Sequence, residues 1–102
     1  MTNVDVIVAL TKHRDKIFKI NPGMWKAGPG RMLTDQKHEW APESMYTLGH
    51  LYYMCVTAMQ FATDGRIEKA MRWLGFIQGA MTAMGHYSID ELRAINSPSE
   101  ER

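Results

Sequence analysis

Between Arg66 and Gly85 the chain reads as one strong helix pattern in which Gly75, Gly79 and Ala83 recur at every fourth position. Residues four apart share one face of a helix, so a stripe of that face carries almost no side chain. A glycine inside a helix costs up to about 1 kcal/mol relative to alanine. The usual return on two of them is close approach of another backbone, which a bulky side chain would block. The segment therefore specifies helix-on-helix packing, within the chain or between chains. It specifies no reaction.

The flanking residues extend this into a fold. Pro42 at a first helical position, followed by Glu43, opens a helix that runs to about Ala62. Thr63-Asp64-Gly65 makes a turn, and the next helix spans roughly Arg66 to Met84 with Gly85 as its C-terminal cap. So short a turn makes the two helices antiparallel neighbours. Counting outward from it places Ala58 near Met71, Cys55 near Gly75 and Leu51 near Gly79. Small would meet medium along that seam, accounting for the glycines inside the hairpin.

Val4 to Lys19 reads as an amphipathic helix, with Val6, Leu10 and Ile17 on one face and Ile7 and Phe18 widening it. Thr2 and Asp5 resemble a capping box with Asp in the Glu role, and Asn21-Pro22-Gly23 stops the helix. A final helix starts at Ser88, capped by Ser88 and Glu91 and stapled by Tyr87 and Leu92, and ends near Asn96. No strand-period run occurs. The expected fold is all-α: a long antiparallel helical hairpin with an N-terminal helix, a long ordered loop and a short C-terminal helix. Residues 1–96 form one domain and 97–102 a solvated tail.

Composition narrows the function classes. A hydrophobic share of 45% and a charged share of 23% are ordinary for a soluble domain. Nine Met residues suit a tolerant core or an adaptable binding surface. The single Cys55 excludes an intramolecular disulfide and reads as a buried, inert thiol, which fits a reducing cytoplasm. Met-Thr-Asn-Val-Asp has no basic n-region, so no signal peptide is expected. Residues 45–62 carry no formal charge, but His50, Gln60 and three Tyr hold their mean hydropathy to roughly half of what a spanning helix needs. A membrane partner is not expected.

Chemistry has few candidates. His13, His38, His50 and His86 show no metal-ligand spacing, and Gly28-Pro29-Gly30-Arg31 lacks the Lys-Ser/Thr of a phosphate loop. No catalytic residue, metal or cofactor is expected. Residues 1–38 hold seven Lys or Arg against three Asp, whereas residues 39–102 hold five Lys or Arg against eight acids. That asymmetry points to a local anion site, not to a strong nucleic-acid binder. Its natural place is the loop from Asn21 to Trp40, where Trp25, Lys26, Arg31, Lys37, His38 and Trp40 combine rings with cations. Indoles stack on flat rings and cations neutralise phosphates, so the mixture suits an anionic, nucleotide-like ligand. The same residues can also be read more plainly, the two Trp anchoring the loop while the cations sit in water.

Glu-Lys-Ala-Met-Arg-Trp-Leu-Gly-Phe-Ile-Gln-Gly, followed by Gly-His-Tyr-Ser-Ile-Asp-Glu-Leu-Arg, resembles the C-terminal half of small accessory proteins of tailed bacteriophages, over residues 64–95. The resemblance implies a phage origin and action in the host cytoplasm, and it carries no functional residue with it. Small phage accessory proteins commonly disarm host defences, and one helical-hairpin group does so by sequestering cyclic nucleotide signals as oligomeric sponges. The expectation is thus a non-enzymatic, homo-oligomeric anti-defence protein that sequesters a small anionic nucleotide-like molecule. The alternative is a protein–protein inhibitor of a host defence protein. A membrane hairpin and a single-strand nucleic-acid binder rank below both.

Overall fold

The computed structural model describes residues 2–20, 22 and 45–97, and all regular structure among them is helical. Four helices follow in order: α1 (Asn3–Ile20), α2 (Met45–Thr63), α3 (Ile67–Ala83) and α4 (Ile89–Asn96). The chain is all-α. The expected start at Pro42, the loop residues Trp25, Lys26, Arg31, Lys37, His38 and Trp40, and most of the C-terminal tail lie outside the described residues.

Each helix end follows from local chemistry. At α1 the Asp5 backbone N–H donates to Thr2 Oγ1 at 3.2 Å, while the Thr2 backbone N–H donates to Asp5 Oδ2 at 3.1 Å. This is a reciprocal capping box, with Asp reaching back as Glu does elsewhere. Helix α2 ends at Gly65, whose φ of 84° is cheap only for glycine. There the Arg66 N–H donates to the Phe61 carbonyl at 2.8 Å and the Gly65 N–H to the Ala62 carbonyl at 3.2 Å. Gly85, at φ 83°, repeats the arrangement at the end of α3, with the His86 N–H on the Met81 carbonyl at 2.9 Å. Helix α4 opens with the full capping box expected of it: Ser88 Oγ accepts from the Glu91 N–H at 3.1 Å, and Glu91 Oε1 accepts from the Ser88 N–H at 3.0 Å.

The core forms where three apolar stripes meet. Helix α1 contributes Val6, Ala9, Leu10 and Ile17; α2 contributes Leu48, Leu51, Met54, Cys55, Ala58 and Ala62. Helix α3 adds Ala70, Leu74, Ile77 and Met81, and Tyr87 closes the set ahead of α4. Helix α3 returns alongside α2: Phe61 meets Trp73 edge-to-face at 4.9 Å near the turn, and His50 meets Phe76 at 6.4 Å farther from it. Phe18 does not widen the buried face of α1 as expected. It is exposed.

The expected seam between Ala58, Cys55, Leu51 and Met71, Gly75, Gly79 is overturned. Ala58, Cys55 and Leu51 are buried, but Met71, Gly75 and Gly79 lie on the exposed side of α3. Among the described residues, no heavy atom comes within 4 Å of where a Cβ would sit on either glycine. The energetics explain the rotation of α3. Burying Leu74, Ile77 and Met81 is worth about 1.5 to 3 kcal/mol for each side chain, and a glycine stripe has no comparable apolar area to offer.

Candidate functional site

Two polar constellations stand out among the described residues. The first lies at the α2–α3 turn, where Gly65, Arg66, Ile67, Glu68, Lys69 and Arg72 line a shallow groove of about 430 Å³. Arg66, Lys69 and Arg72 are spaced three apart, so they wind around the first two turns of α3. The N–H groups of a first helical turn have no intrahelical acceptor, and no side chain caps them here. Their partial positive charge adds to the three cations.

Two of the cations are held over rings. Lys69 Nζ sits 4.6 Å from the centre of the Phe61 ring and 6.0 Å from that of Trp73, and the Arg66 guanidinium lies 5.1 Å from Phe61. The ion pairs among the described residues, Arg14–Asp15 and Arg93–Asp90, involve none of these three. Among the described residues, Glu68 is the only acid lining the groove. The arrangement can neutralise and orient a small polyanion such as a phosphate-bearing ligand. Trp73 is half-buried, packed edge-on against Phe61, and anchors the groove instead of offering an open stacking face.

The second constellation is buried and links three elements. His13, on the apolar face of α1, has no exposed surface. Its Nδ1 lies 3.0 Å from the Tyr87 hydroxyl, and its Nε2 lies 2.9 Å from Gln78 Nε2. Gln78 Nε2 also donates to Asn96 Oδ1 at 2.7 Å, and Asn96 Nδ2 donates to Gln78 Oε1 at 3.0 Å. Oriented in this way, Gln78 uses both amide protons, His13 Nε2 accepts, and the imidazole proton sits on Nδ1 facing Tyr87. Lys16 Nζ lies 4.6 Å over the Tyr87 ring. Burial, with a smaller push from Lys12, lowers the His13 pKa to about 4, and burial raises that of Tyr87 to about 12. Both stay neutral across the physiological range, so the pair is built to hold the fold and not to move protons.

Other chemistry is sparse. Cys55 is fully buried and burial pushes its thiol up to about 12, which leaves no thiolate for nucleophilic work. Among the described residues, no three His, Cys, Asp or Glu side chains gather as metal ligands. No described helix is long and apolar enough to cross a membrane.

The structure thus brings together residues that the sequence reading did not combine. Arg66, Lys69 and Arg72 had a legible signal, since three cations fall within the first two turns of a helix next to the ring at Trp73. His13 had one too, falling between Leu10 and Ile17 at core spacing. Gly75, Gly79 and Ala83 sit on the exposed side of α3. Comparison with known protein families, with curated proteins and with solved structures finds no match to this chain.

Proposed function

We propose that the protein is a non-enzymatic binding protein that sequesters a small anionic, nucleotide-like molecule, in the manner of a phage anti-defence sponge acting in the host cytoplasm. The observation that carries this reading is the groove at the start of α3. Three cations free of carboxylate pairing among the described residues line it beside uncapped helix N–H groups. Such a surface favours phosphates, and electrostatic attraction of this kind raises local ligand concentration. The loop cations Lys26, Arg31 and Lys37, with Trp25, His38 and Trp40, are proposed to serve the same ligand.

Titration calorimetry with a panel of cyclic and linear nucleotides tests the reading. Arg72→Ala or Lys69→Ala should weaken binding by about 1.5 to 3 kcal/mol, the range for hydrogen bonds to charged groups. Thermal stability should hardly change in Arg72→Ala, because an exposed cation contributes little to folding. Lys26→Ala and Arg31→Ala should weaken binding similarly, and Trp25→Ala by about 1 to 3 kcal/mol if it stacks on the base. If no nucleotide binds the wild-type protein, the sponge reading fails. The alternative, an inhibitor that docks on a host protein, then takes its place. It draws on the exposed apolar side chains of α3, Met71 and Phe76, which are 42% and 55% accessible.

A further inference from the structure

We propose that α4 is an acid-released latch: the buried His13 of α1 pins both of its ends, and protonation of that imidazole detaches the last helix while α1, α2 and α3 stay folded. Just ahead of α4, the Tyr87 hydroxyl lies 3.0 Å from His13 Nδ1. At the last residue of α4, Asn96 exchanges two hydrogen bonds with Gln78, whose amide nitrogen lies 2.9 Å from His13 Nε2. Between these ties α4 packs through half-buried Leu92 and Ile95 and buries no side chain fully. One ring on another helix thus governs a polar attachment at either end.

The chain of bonds holds only while His13 is neutral. Gln78 donates one amide proton to Asn96 and the other to His13 Nε2, so that ring nitrogen must accept. An added proton sets two donors face to face. If the Gln78 amide turns over to offer Oε1, its nitrogen faces the Asn96 amide nitrogen, and the conflict passes to α4. If both amides turn together the bonds re-form, but a positive charge is then enclosed with no carboxylate on either ring nitrogen, and a buried unpaired charge is strongly unfavourable. The surroundings do not neutralise it. On α1, Lys12 adds repulsion and Lys16 stands over the Tyr87 ring. Cys55 of α2 and Glu91 of α4 act on Tyr87, and α3 presents the Gln78 amide. Glu91 is exposed and engaged with its own cap. Hydrating the imidazolium requires lifting a cover, and the least secured one is α4. Opening takes up a proton, because the His13 pKa of about 4 returns toward 6.5, so acid favours the detached state. None of the anion-groove residues takes part.

Hydrogen–deuterium exchange of the full-length chain between pH 7.5 and 5, corrected for the intrinsic rate, tests the latch. Protection of residues 92–96 should fall on the order of thirtyfold as pH drops, while residues 10–17 and 74–81 stay better protected throughout. His13→Gln, polar but not titratable, should hold residues 92–96 at one level of protection over the same range. Glu91→Gln and His86→Gln, which change other titrating groups near the start of α4, should keep the wild-type response. Protection of residues 92–96 that does not change with pH overturns the proposal. So does a pH response that survives His13→Gln, or a loss of protection uniform over all four helices. Should His13→Gln fail to fold, NMR titration of the wild-type protein decides. The His13 ring shift and the amide signals of residues 92–96 must then change with a single midpoint, and separate midpoints overturn the latch.

Discussion

The fully buried His13 makes the protein sensitive to acid. A histidine whose pKa falls from 6.5 to about 4 on folding binds fewer protons in the native state than in the unfolded one. The contribution is complete above pH 6.5 and is lost as pH drops from there to about 4, by which point the loss is on the order of 3 kcal/mol. The buried His50 is shifted in the same direction by burial. At the other end, Cys55 and Tyr87 hold their protons up to about 12, so stability should decline as pH rises past 9 and then 10. Urea titrations across pH should therefore show a plateau from about 6.5 to 9 with a fall on each side. His13→Phe should start less stable at pH 7.5, since it removes the His13 contacts of the Tyr87 hydroxyl and of one Gln78 amide proton, and should lose most of the acid slope. An acid slope unchanged in that variant would place the titrating group elsewhere. The polar chain behind this behaviour was only half legible beforehand. The position of His13 at core spacing was visible, but its partners Gln78 and Tyr87 lie 65 and 74 residues away, Asn96 reaches it only through Gln78, and nothing local joins them.

Helix boundaries were the most readable feature because they are set by short-range chemistry. Thr2 with Asp5, Ser88 with Glu91, and the glycines at 65 and 85 each act within a few residues, and each does in the structure what its spacing implies. Ser88→Ala should cost about 1 kcal/mol through loss of the N-cap bond, visible as a lower melting temperature with nucleotide binding unchanged. Impaired binding at unaltered stability would mean that Ser88 touches the ligand. The rotation of α3 about its axis was harder to read. Counting from a turn fixes how far along two helices a pair of residues sits, but not which way each faces. That angle is set by competition among apolar stripes, and the stripe through Ala70, Leu74, Ile77 and Met81 outweighs the one through the glycines. The candidate loop, Trp25 to Trp40, offers no such periodicity, and its proposed ligand contacts rest on residue type alone.

At the scale of the whole molecule, the helices are unequally secured. Helices α1, α2 and α3 share the core, whereas α4 is eight residues long and buries none of its own side chains fully. It is held by half-buried Leu92 and Ile95, by Tyr87 just before its cap, and by the Asn96–Gln78 amide pair. Elements with few buried contacts open at a lower free energy than the global one. In hydrogen–deuterium exchange the backbone amides of residues 92–96 should therefore exchange well before those of 10–17 and 74–81, and Ser88→Ala should speed the first group while leaving the others nearly unaltered. Uniform protection across all four helices would show that α4 unfolds only with the rest. Because Asn96 completes the amide pair on Gln78, each opening of α4 also breaks the chain of partners leading to His13. Solvent protons should therefore reach the buried imidazole sooner when α4 opens, so a variant that loosens the last helix should respond faster to a drop in pH.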